Sequence, residues 1–156
     1  MGAPGDGGGV YIFNQELSSL SGESTAVGSS DHVFDSNFND LGLGWKMAPV
    51  GDHNGDGIDD VLITAMGAYA SGDTGVVYIV DGACLDGSVG NIDSAALLKI
   101  NAESAGDAFG RSVAVGDLDG DGITDFAIGA PYFMPDPNMG LSGAEGRVYI
   151  WLSSSN

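Results

Sequence analysis

Three copies of one short pattern organise this chain. Gly8–Phe13 reads GGVYIF, Gly75–Val80 reads GVVYIV and Gly146–Trp151 reads GRVYIW, so Gly-x-Val-Tyr-Ile plus an apolar residue recurs, with Tyr11, Tyr78 and Tyr149 spaced 67 and 71 residues apart. A second pattern keeps nearly the same period: DHNGDGIDD spans Asp52 to Asp60, and DLDGDGITD spans Asp117 to Asp125, 65 residues later. Self-similarity at a period of this size means that each copy is one supersecondary unit. Such a unit cannot bury its apolar face alone, so neighbouring copies must stack.

Each period reads in a fixed order. Leu43-Gly44 or Phe109-Gly110 leads into a short apolar run, KMAPVGD or SVAVGD, with one extra residue after Gly44. The acidic loop follows, then a fully apolar run, DVLITA or DFAIGA, which suits a central strand buried on both faces. After a variable loop comes the VYI strand, then a more polar strand near His32–Asn37 or Ala96–Asn101. No stretch sustains a period of 3.6 residues, so helix should be scarce. Four short antiparallel strands per repeat, joined by turns, describe the blade of a β-propeller.

Composition agrees with an ordinary all-β core. Hydrophobic residues make up 43% of 156, enough for a packed domain, and the 27 glycines fit frequent tight turns. The net charge of −18, with only Lys46, Lys99, Arg111 and Arg147 on the positive side, repels nucleic acid and anionic membranes and attracts cations. Cys84 is the only cysteine, so an intrachain disulfide and a cysteine-based metal site are both excluded. It reads as a small apolar filler. No segment is long and apolar enough to span a membrane, and the N-terminal MGAPGDGGG has neither the basic nor the apolar region of a signal peptide.

Taken in order, FG, GD-x-[DN]-x-DG-x-x-D, GAP and G-x-VYI resemble the FG-GAP repeat of integrin α-subunit β-propellers and of related bacterial surface and secreted proteins. GAP stands at Gly2-Ala3-Pro4 and Gly129-Ala130-Pro131; Leu43 for Phe and Thr64-Ala65-Met66 for GAP depart from the pattern. On this resemblance the chain holds about two and a half repeats: the end of one blade over residues 1–41, a complete blade over 42–105, and a third over 106–156 lacking its last strand. The expected architecture is a partial propeller, or a ring completed by oligomerisation as a six-bladed trimer or an eight-bladed tetramer.

Four like charges in nine residues would repel one another unless something neutralised them. Carboxylates or an amide at loop positions 1, 3, 5 and 9, with the backbone carbonyl of position 7, can wrap one hard cation. Ca²⁺ takes 6–8 oxygens at about 2.3–2.6 Å. Two Ca²⁺ sites are therefore expected: Asp52, Asn54, Asp56, the carbonyl of Ile58 and Asp60 in the first loop; Asp117, Asp119, Asp121, the carbonyl of Ile123 and Asp125 in the second. An EF-hand needs a Glu at position 12 and flanking helices, but position 12 here is Ile63 or Ile128, inside an apolar run. Strict octahedral geometry makes Mg²⁺ less suitable. The lack of His or Cys in a ligand position argues against Zn²⁺ and softer metals. Asp59 and His53 read as solvated loop residues.

No catalytic constellation stands out. His32 and His53 lie in no recognisable triad, and G-x-S-x-G, H-E-x-x-H and the P-loop are all missing. The reading is a non-catalytic, calcium-binding segment. Its extracellular or cell-surface location and its role in adhesion or recognition of a protein or glycan ligand are implied by the resemblance alone. An accessory propeller of a secreted hydrolase is the alternative. Loops Met66–Thr74 and Pro131–Glu145 would carry ligand contacts. Tyr132, Phe133 and Met134 are either a contact patch or packing against a neighbouring blade. Open blade faces could self-associate.

Overall fold

The computed structural model describes residues 9–13, 30, 32–35, 42–66, 74–136 and 143–154. Gly2-Ala3-Pro4, Asn37 and parts of the two variable loops lie outside the described residues. Among the described residues, nine strands form three antiparallel sheets: β1 (Gly9–Ile12) with β2 (His32–Asp35); β3 (Leu43–Gly51), β4 (Asp60–Ala65), β5 (Val76–Val80) and β6 (Ala96–Asn101) in that order; and β7 (Ser112–Gly116), β8 (Asp125–Ala130) and β9 (Arg147–Trp151). Helix is confined, among the described residues, to a 3-10 turn at Gly82–Asp86 and one α-turn at Ile92–Ala95. Both are too short to be stable without the sheet beneath them. The architecture is all-β, made of propeller blades whose strands follow one another in sequence order.

The central strands are buried because two sheets cover them. Leu62 and Ile63 are adjacent in β4, point to opposite faces and are both fully buried. Ile63, Ala65, Val76, Tyr78 and Val80 pack with Val10 and Phe34 of the first sheet. Leu62, Val77 and Ile79 pack with Phe109, Phe126, Ile128, Ala130 and Phe133 on the side of the third sheet. Strand alternation therefore directs successive residues of VVYIV into different cores, and no polar face is left.

The FG element has one conformation in both copies. Phe109 and Leu43 are buried, and the following glycines, Gly110 and Gly44, have φ of 85° and 86°, where a side chain would be strained. The extra residue of the first copy is absorbed in β3. There the pairing with β4 slips between Leu43 and Met47, at the FG turn, and again between Pro49 and Gly51, whereas β7 pairs with β8 in unbroken register. A proline on an edge strand beside a bulge is where the sheet tolerates one. The first strands of the two sheets also touch, with the Trp45 indole N–H donating to the Arg111 carbonyl at 3.3 Å.

Tyr132 and Phe133 resolve as packing. Phe133 is buried in the core between the second and third sheets, under the Arg147 guanidinium at 3.6 Å from its ring centre. Arg111 lies over Tyr132 at 5.4 Å. Cys84 packs at the margin of the first core, and burial, then Asp81 and Asp86, push its thiol pKa upward. A filler role accounts for it.

Candidate metal centre

Each acidic loop joins the first strand of a sheet to its central strand, β3 to β4 and β7 to β8. It is closed at its base by the pairs Gly51–Asp60 and Gly116–Asp125. Within the second loop the carboxylates take the backbone N–H groups of their own turn. Asp117 accepts from Gly120 at 2.7 Å and Gly122 at 2.9 Å, Asp119 from Asp121 at 3.2 Å, and Asp121 from Ile123 at 2.8 Å. These bonds order the loop and aim the side chains inward. An ionised carboxylate has about four lone-pair sites, so one or two such bonds leave acceptor capacity for a cation. Among the described residues, Asp117, Asp119 and Asp125 form the one group of three or more acidic, His or Cys side chains whose ligand atoms all lie within 4.8 Å of one another. Asp121 stands outside that group.

The first loop repeats the scaffold with one change. Asp52 accepts from Gly55 at 2.7 Å, Asp56 at 3.0 Å and Gly57 at 2.8 Å, and Asp56 accepts from Ile58 at 2.8 Å. Asn54 accepts from Asp56 N–H at 2.9 Å, and its amide donates back to the Asp56 carboxylate at 3.2 Å. That bond relieves the repulsion between positions 3 and 5 that two carboxylates would have. Asp59 and His53 are exposed, as read from the sequence, although the His53 backbone N–H contributes to the loop.

The ninth position is different in kind. Asp60 and Asp125 are fully buried while the other acidic loop residues are exposed. Each ties three segments together. Asp60 accepts from His53 N–H at 2.9 Å and from Gly82 N–H at 2.8 Å; Asp125 accepts from Leu118 at 2.7 Å and Ser153 at 2.8 Å. Gly82 and Ser153 both stand just past a VYI strand, and the sequence gives no sign of their part. A Cβ on Gly82 would overlap the Asp59 carbonyl, so that close approach requires glycine. The donor set of both loops is all oxygen and mostly solvent-facing, which fits a hard cation that keeps some water.

Asp107 is a further residue that sequence reading missed. It is buried two positions before Phe109, whose N–H it receives at 2.8 Å, and burial pushes its carboxyl pKa upward. Nearby, Glu103 accepts from Tyr149 at 2.7 Å and pairs with Arg147 at 2.5 Å. The Tyr149 bond first, then Arg147, lowers its pKa. These exposed contacts clamp the end of β6 to β9.

A four-stranded sheet followed by a three-stranded one, each with a hydrogen-bonded acidic loop between its first two strands, has the organisation of consecutive propeller blades. The chain belongs to the FG-GAP repeat family, which it matches over residues 43–80 and 109–151. It is 35% identical to integrin alpha-V of Gallus gallus over 119 residues and 36% identical to integrin alpha-PS2 of Drosophila melanogaster over 110, covering 76% and 70% of this chain. It is also 34% identical to the phosphatidylinositol-glycan-specific phospholipase D of Dictyostelium discoideum over 116 residues, 67% of this chain. The matched regions are 10%, 7% and 12% of those proteins, so the chain corresponds to about a tenth of each relative. No helix among the described residues is long and apolar enough to cross a membrane.

Proposed function

We propose that this chain is a non-catalytic, calcium-binding propeller segment of a cell-surface or secreted protein that serves adhesion or recognition of a protein or glycan. The observation that carries the cation assignment is the twofold occurrence of one oxygen-donor scaffold, with the oxygens of Asp117, Asp119 and Asp125 already gathered in the second copy. Asp52, Asn54, Asp56, Asp60 and the Ile58 carbonyl would hold one ion; Asp117, Asp119, Asp121, Asp125 and the Ile123 carbonyl would hold the other. The ion supplies charge neutralisation and a cross-link between the first two strands of a sheet. The integrin relatives support the surface and adhesion role.

The test is a thermal melt with CaCl₂, with excess EDTA and with MgCl₂. At the dissociation constants of about 10⁻⁴–10⁻³ M typical of extracellular modules, each site contributes about 1.4–2.7 kcal/mol in roughly 10 mM Ca²⁺. Two sites should raise Tm by roughly 5–20 °C over EDTA, and Mg²⁺ should do much less. An identical Tm in Ca²⁺ and EDTA defeats the assignment.

The phospholipase D relative favours a second reading, an accessory propeller of a secreted hydrolase. A catalytic domain in the same reading frame would decide for it. As for partners, Val148 and Ile150 in β9 are 65% and 61% exposed, while Val77 and Ile79, at the same places in β5, are fully covered by the third sheet. Further copies covering that face would complete a ring, as a six-bladed trimer or an eight-bladed tetramer. Sedimentation over a wide concentration range should then show mass rising with concentration, and an invariant monomer removes the idea.

A further inference from the structure

The first loop holds the only Asn-Gly pair in the sequence, Asn54-Gly55, at loop positions 3 and 4. Asparagine is thermolabile because the next backbone nitrogen can attack its side-chain carbonyl. Glycine is the most permissive successor, since no Cβ obstructs the five-membered ring. Both residues are exposed, and nothing lies within 4 Å of where a Gly55 Cβ would stand.

The folded loop opposes this reaction by hydrogen bonding. Ring closure requires the Gly55 nitrogen to release its proton and reach Asn54 Cγ. Instead the Gly55 N–H is held by Asp52 Oδ1 at 2.7 Å. Asn54 Oδ1 is held by Asp56 N–H at 2.9 Å, and Asn54 Nδ2 donates to Asp56 Oδ2 at 3.2 Å. Nucleophile and electrophile are thus each committed elsewhere. Opening the turn frees both, and an exposed loop opens at far lower cost than the sheets.

We propose that Asn54 is a site of spontaneous deamidation, gated by opening of the first loop, whose aspartate product gives that loop the carboxylate set of the second. The Gly55 nitrogen loses its proton and forms a bond to Asn54 Cγ. The Cγ–Nδ2 bond breaks, and ammonia leaves with the proton. Water then opens the succinimide. Cleavage of the Cγ–nitrogen bond leaves aspartate in a normal main chain; cleavage at the main-chain carbonyl leaves isoaspartate and lengthens the main chain by one carbon. The aspartate product places a carboxylate where the second loop has Asp119 and removes the hydrogen bond that the Asn54 side-chain amide donates to Asp56. The isoaspartate product breaks the spacing between Asp52 and Asp56. The modification itself does not rest on the calcium reading above, whereas its effect on the loop does.

The test is to incubate the full chain in mildly alkaline buffer, folded and in urea, and to follow amide-to-acid conversion of the Asn54 peptide by mass spectrometry. Conversion in the folded chain should run roughly tenfold slower than in urea. Asp52→Ala, which frees the Gly55 N–H, should bring the folded rate close to the urea rate. Far-UV circular dichroism confirms that the variant is folded, and hydrogen exchange at the Gly55 amide of the unaltered chain measures the same opening without a substitution. Deamidation in urea but none in the folded chain, with or without Asp52, overturns the site. Equal rates in both states overturn the gate. For the product, Asn54→Asp should bind Ca²⁺ several-fold more tightly than the unaltered chain. An unchanged affinity overturns the claimed gain. If neither protein binds Ca²⁺, the calcium reading falls and takes that gain with it, while the mass readout still decides the modification.

Discussion

Asp125→Ala should lower stability by about 2–5 kcal/mol in EDTA, with no cation present. The carboxylate is fully buried and receives two N–H groups, from Leu118 and Ser153. Alanine would leave both donors without an acceptor. An orphaned buried donor costs about 1–3 kcal/mol, less whatever water can recover. Asp60→Ala, which orphans the N–H groups of His53 and Gly82, should behave alike in the second sheet. Asp119→Ala is the contrasting variant. Its side chain is exposed and accepts one local bond, so in EDTA the change should stay within about 0.5 kcal/mol, and its larger cost should appear only in Ca²⁺. Urea midpoints of the three variants in both conditions test this. If Asp125→Ala in EDTA is as mild as Asp119→Ala, the ninth position is only a cation ligand and has no structural role of its own.

The contrast between the ninth position and its neighbours marks the limit of what the residues alone could disclose. The period, the strand order and the all-β class were legible because stacked sheets need apolar runs such as DVLITA and VVYIV, and alternation feeds each residue to one of two cores. β6 at Ala96–Asn101 falls where the polar fourth strand was expected, and β2 occupies the described part of its expected stretch, His32–Asp35. The loop spacing was equally legible as a scaffold, since Asp at alternating positions with glycine between is a local pattern. Long-range hydrogen bonds were not. Gly82 and Ser153 reach Asp60 and Asp125 across 22 and 28 residues through backbone N–H groups, which every residue but proline has. Asp107 escaped for a similar reason, since an isolated Asp before an apolar pair reads as solvated until the fold is seen to bury it. The bulge at Pro49–Gly51 was visible only as an unplaced extra residue, because counting residues does not say where a ladder slips.

Phe109→Ala should cost about 3–5 kcal/mol, the range for emptying a buried aromatic site. Phe109 is 2% exposed and sits in the core between the second and third sheets, with Tyr149 edge-on at 5.4 Å and Trp151 at 6.3 Å. Phe109→Leu installs the residue that the preceding repeat uses at Leu43. It should cost about 1–2 kcal/mol, since most of the volume stays and the aromatic pairing is lost. The backbone of the same residue explains Gly75, the glycine of the middle G-x-VYI copy. The Phe109 carbonyl lies against Gly75, and a Cβ there would overlap it, so Gly75→Ala must push the two sheets apart. Overpacking of that kind costs about 1–3 kcal/mol. The two defects meet at one residue and should not add: Phe109→Ala keeps the carbonyl, but emptying the ring's site lets that backbone shift, so Gly75→Ala should then cost less than it does alone. A double-mutant cycle on urea midpoints measures that coupling. Strict additivity would mean that FG of one repeat and G-x-VYI of the repeat before it do not form a single joint, and the account of how neighbouring blades lock together would fail with it.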